Sequence, residues 1–69
     1  MRYFDYEQVA REANIPPEKL GELCQLLRQD FPRDDMMYKL HVLRACLAVR
    51  DGRIPLEDVL RTAAAPRGA

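Results

Sequence analysis

The sequence has no Trp, no Ser, one Thr (Thr62), one His (His41) and two Cys, Cys24 and Cys46. Each scarcity removes an explanation. Nucleophilic catalysis needs a nucleophile, a base and an orienting group in one place, and a chain without Ser offers few ways to assemble them. His41 and Cys46 are the one tempting pair, but five residues apart on a helix they point about 140° apart. The cysteines form neither a CxxC motif nor a disulfide framework. A metal site from Cys24, Cys46 and His41 lacks a fourth ligand and any familiar spacing. Both cysteines sit within helical apolar patterns, where two small apolar side chains are expected to meet across a helix–helix contact. The sequence therefore predicts a protein that is not an enzyme, with no cofactor and no metal. It shows neither a secretory leader pattern nor an apolar run near 18 residues, so a soluble cytoplasmic protein is expected.

Charge of one sign is lacking too: 11 Lys/Arg balance 11 Asp/Glu, for a formal net charge of zero. That argues against a general polyanion binder. The balance hides an asymmetry. Residues 1–35 carry five basic and eight acidic side chains, a net −3, and residues 36–69 carry six and three, a net +3. One reading is helix-dipole complementarity with solvated faces. The other is reciprocal association between unlike halves of two copies. At 69 residues there is room for one domain, placed at 1–64 with a frayed tail over 65–69. A chain this short buries only about 60% of its unfolded surface. With three Tyr and two Phe its core must be mostly aliphatic, so a partner chain would help it.

What is present is helical patterning, clearest from Met36 to Arg50, which holds no Gly or Pro. Asp34 and Asp35 precede it and Asp51-Gly52 close it, as helix start and stop signals. Met36, Leu40, Leu43 and Leu47 follow the i, i+4, i+7, i+11 spacing of one face, with Val42, Cys46 and Val49 along the adjoining side. This reads as a central helix around which the others pack. Earlier in the chain, Asp5 caps a first helix, with Gln8 placed for a capping box and Phe4 and Val9 for a hydrophobic staple. Tyr6, Val9, Ala10 and Ala13 make its stripe, and Asn14, tolerant of the left-handed conformation, ends it. Pro16-Pro17 opens a second helix to about Gln29, with Leu20, Leu23, Cys24 and Leu27 inward and Leu26 widening the face. Gly21 inside it either permits a close helix approach or is a tolerated defect. Phe31 folds back onto the core and Pro32 stops the helix. After Ile54-Pro55, a fourth helix runs from about Leu56 to Ala64 with Leu56, Val59 and Leu60 inward and Glu57 and Asp58 at its N-terminal end.

The stretch Val9 to Leu23 resembles a helix-turn-helix, with Ala10, Asn14, Ile15, Leu20 and Leu23 in the places of the small residue, the turn and the aliphatic anchors. The resemblance extends to regulators of the MerR type through Leu40-His41-Val42-Leu43-Arg44 and Ile54-Pro55-Leu56-Glu57-Asp58-Val59-Leu60. It implies DNA binding through the second helix, with Lys19, Gln25 and Arg28 as contacts. The sequence departs from that pattern in having Gly21, Glu22 and Leu23 where DNA-facing Arg and Tyr are expected. There is no β-wing between Gln29 and Asp34. Glu18 and Glu22 would face phosphates.

Met37, His41 and Arg44 share a strip with Ala48, expected opposite much of the apolar face. As a function, this strip reads as a partner surface, since Met and Arg are enriched at interfaces. The expectation is an all-α, compact four-helix domain whose helix-turn-helix-like first pair packs on the central third helix. Its expected work is that of a non-enzymatic regulatory or adaptor module, self-associating or bound to a protein partner. A DNA-binding regulator is the alternative.

Overall fold

Residues 5–64 are described by the computed structural model of the chain. They form α1 (Tyr6–Glu12), α2 (Pro17–Asp30), α3 (Asp35–Arg50) and α4 (Leu56–Ala64), with no strand among them. The domain is all-α, as the sequence predicts. The Phe4 staple and the 65–69 tail lie outside the described residues. A Cα radius of gyration of 11.3 Å matches the roughly 11 Å of a packed chain this long.

Local chemistry sets the helix boundaries. Asp5 caps α1 by accepting from the Gln8 backbone N–H at 3.2 Å. Only half of the expected capping box forms. The Gln8 side chain turns forward, donating to Glu12 at 3.1 Å and accepting from Arg11 at 2.8 Å. At the other end Asn14 takes φ 60°, its N–H bonds the Arg11 carbonyl and Ile15 N–H bonds Ala10 O. This is the paired bonding of a Schellman motif, with Ile15 packing back over Ala10. The end of α3 repeats it with Gly52 at φ 74°, where Gly52 N–H bonds Val49 O and Arg53 N–H bonds Ala48 O. Asp34 caps α3 by accepting from Met37 N–H at 3.1 Å. Between these caps, α2 ends at Phe31, whose N–H bonds Leu27 O before Pro32 stops the helix.

The core joins Ala10 and Ile15 to Leu23 and Leu27 of α2, Tyr38, Val42 and Cys46 of α3, and Val59 and Ala63 of α4. Leu23, Val42 and Cys46 are fully buried, and burying a side chain of the Val or Leu type contributes about 1.5–3 kcal/mol. α3 is the common platform. It receives α1 and α2, while α2 also packs on α4. Although the Asn14 turn joins α1 to α2, the two touch each other little and each rests on α3.

The two apolar sides of α3 have different surroundings. Val42, Cys46 and Val49 join or pack on the core, whereas Met36, Leu40, Leu43 and Leu47 lie outside it. Met36 is 66% exposed, the three leucines are half-buried, and none packs on the core cluster. At about 100° per residue this stripe lies roughly 150° around the helix from the centre of the Tyr38–Val42–Val49 arc. The physical reason lies in the charges. Lys39 and Arg50 flank the leucines on one side and Arg44 on the other, so this arc stays wet. Beyond Asp35 in the first turn, which pairs with Arg28 of α2, the arc bearing Tyr38, Val42, Ala45, Cys46 and Val49 is free of charge, and its small side chains let α1 and α2 approach closely.

Candidate functional site

A half-open cleft of about 350 Å³ lies between α2, α3 and α4. Leu23 and Leu27 of α2 and Val59 of α4 supply its apolar walls. It exists because Ala45, Ala48 and Ala63 line it and carry nothing beyond Cβ to fill the space. His41, Arg44, Ile54 and Thr62 complete the lining, and no acidic residue contributes. Ile54, 42% exposed, extends the apolar surface outward.

Two of the three residues expected to form a partner surface therefore meet at one place. His41 is half-buried. Its Nδ1 bonds the Met37 carbonyl at 2.8 Å, and because a carbonyl only accepts, Nδ1 is the protonated nitrogen. The imidazole also packs on Phe31, centroids 4.6 Å apart, so its orientation is fixed from two sides. Arg44 is exposed and, like Arg11, Arg33 and Lys39, has no ion pair among the described residues, whereas Arg28, Arg53 and Arg61 each have one and Arg50 has two. Met37 is half-buried beside the cleft without lining it. The strip is not opposite the core, as its spacing suggested. Ala48 is buried, and the strip flanks the core and opens onto the cleft.

The residues named for DNA contact sit differently. Lys19 is exposed and pairs with Glu22 at 3.7 Å. Gln25 is exposed. Arg28 is held against α3, with Nη1 donating to Asp35 at 2.7 Å and to Phe31 O at 3.3 Å. Its guanidinium carbon stands 3.8 Å from the Tyr38 ring centroid, in cation–π geometry. This residue joins α2 to the start of α3.

The cysteines lie at the α2–α3 contact, and both are free. Cys24 is half-buried and hydrogen-bonded to Tyr38; burial is the main cause raising its pKa, which that bond partly offsets. Burial raises the Cys46 thiol to about 11, with the nearby Cys24 adding to the effect. Thiols held in this way are poor nucleophiles at neutral pH. His41 and Cys46 face different sides of α3, as their spacing predicts. Among the described residues no three His, Cys, Asp or Glu side chains are placed to hold a metal ion. No helix of the described residues is long and apolar enough to cross a membrane. Comparison with protein-family models, curated proteins and solved structures finds no match.

Proposed function

We propose that this chain is a small non-enzymatic regulatory or adaptor module that works through protein–protein contact and associates with itself. The observation that carries this reading is the side of α3 turned away from the core, where Met36, Leu40, Leu43 and Leu47 stand in line. Met37 and Arg44 continue the same surface toward His41 and the cleft. A stripe of large apolar side chains outside the core of so small a domain is a candidate association face. The net −3 and +3 of the two halves give copies a complementary charge distribution with which to orient.

The alternative, a DNA-binding regulator, draws support from the tight turn at Asn14. Against it, the Lys19 and Arg28 cations are paired with Glu22 and Asp35, and Glu18 and Glu22 lie exposed on α2. Light scattering on the eluting protein from micromolar to millimolar concentration tests the first reading. The mass rises above the 8.0 kDa monomer in the wild type, whereas Leu43→Glu remains at the monomer mass with helicity retained. A wild type that stays monomeric throughout refutes self-association. Salt-sensitive micromolar binding to random duplex DNA would instead move the DNA reading to first place.

A further inference from the structure

We infer that the α2–α3–α4 cleft is a binding site for an aliphatic monocarboxylate of about ten carbons. This goes beyond the protein-contact reading and does not depend on it. The cleft volume of about 350 Å³ lies in the lower range of small-molecule sites. At about 30 Å³ per water-sized volume it holds about a dozen heavy atoms. A ten-carbon fatty acid has that number.

The lining separates into two chemistries. Leu23, Leu27, Val59 and the three alanines offer only carbon to the interior, so a polar ligand placed there would lose its water without gaining hydrogen bonds. A hydrocarbon chain loses nothing. At the mouth stands Arg44, whose guanidinium has no acid partner among the described residues and no acidic side chain beside it in the lining. A carboxylate is the planar, two-oxygen group that such a fork accepts. Thr62 lines the same cleft and carries the one hydroxyl donor in the lining. His41, fixed by its bond to Met37 O and by Phe31, forms an ordered wall. An alkyl amine meets a like charge at Arg44, and a neutral alcohol offers its fork one uncharged acceptor in place of two charged oxygens. The head group is therefore specified as an anion.

Titration calorimetry of the full chain with sodium hexanoate, octanoate and decanoate, each kept below its micellar concentration, reads the proposal directly. Affinity rises about fourfold for each added methylene and stops rising once the cleft is filled, beyond ten to twelve carbons. Binding is 1:1, and amide and methyl shifts on addition of decanoate centre on Ala45, Ala48, Thr62 and Ala63. Arg44→Gln weakens decanoate at least tenfold and leaves decanol unchanged, while Arg44→Glu exchanges the preference for decanoate to one for decylamine. Arg44 is exposed, so both variants keep the fold, which circular dichroism verifies. Failure of decanoate to bind saturably overturns the proposal. Equal binding of decanoate and decanol also overturns it, as does an Arg44→Glu variant that still prefers decanoate.

Discussion

Two glycines in helical surroundings should respond to the same substitution with opposite signs. Gly21 is the fifth residue of α2, exposed, and a Cβ built on it meets nothing within 4 Å. That settles which of the two sequence readings applies: no neighbour comes close enough to need the glycine. Gly21→Ala therefore removes only the backbone freedom of the unfolded chain and gains helix propensity, about 0.8–1 kcal/mol. For a domain of this size that raises Tm by about 4–8 °C. Gly52 also has open space around its Cβ, but its φ is 74°, where an L side chain costs roughly 1–2 kcal/mol. Gly52→Ala should lower Tm by at least as much as Gly21→Ala raises it. Thermal and urea denaturation followed by far-UV circular dichroism measure both. A Gly21→Ala protein no more stable than wild type would mean that α2 is packed on that side after all. A Gly52→Ala protein that gains stability would refute the Schellman ending of α3.

The left-handed Asn14 makes a parallel case: Asn14→Gly should be neutral or slightly stabilising, whereas the β-branched Asn14→Val should destabilise by more than 1 kcal/mol in urea melts. Alkaline pH should weaken the fold through Cys46. Its thiol is raised in the folded protein from 9.0 to about 11, so this contribution is intact below pH 9.0 and is lost as pH rises toward 11. Melting temperatures between pH 8 and 11 should fall less steeply in Cys46→Ala, and equal slopes would contradict the assignment. A disulfide-exchange reagent at pH 8 should titrate Cys46 only after denaturation. Modification of both thiols within minutes in native buffer would contradict its burial.

Much of the architecture was legible because helix ends obey local chemistry. Asp5, Asn14, Pro16-Pro17, Asp34, Gly52 and Pro55 each act within a few residues, and the helices begin and end beside them. Which side of α3 is the core was harder to read. The helix is apolar nearly all round, so leucine spacing alone does not pick out the core arc. The usable signal was where Lys39, Arg44 and Arg50 lie, since they bracket the leucines and leave the Tyr38–Val42–Cys46 arc uncharged beyond Asp35 in the first turn. His41 and Arg44 were legible as neighbours on one strip, but the cleft they border was not. It arises from the smallness of Ala45, Ala48 and Ala63 on two helices, and no spacing within either helix announces a shared hollow. The packing of Arg28 was likewise not legible in the sequence. Its engagement with Asp35 and Tyr38 depends on how α2 meets α3.

α3 divides its apolar residues between two tasks, the Tyr38–Val42–Cys46 arc building the fold and the leucine stripe remaining outside the core. Two adjacent substitutions to the same residue test it: far-UV circular dichroism of Val42→Glu and Leu43→Glu in dilute solution. Val42 has no exposed surface. A carboxylate there, even neutralised by protonation, costs several kcal/mol, as much as the roughly 3–5 kcal/mol that so small a core supplies. Val42→Glu should be unfolded and Leu43→Glu helical, with a cooperative melt. An unfolded Leu43→Glu beside a folded Val42→Glu would place the core on the other side of α3 and contradict the account.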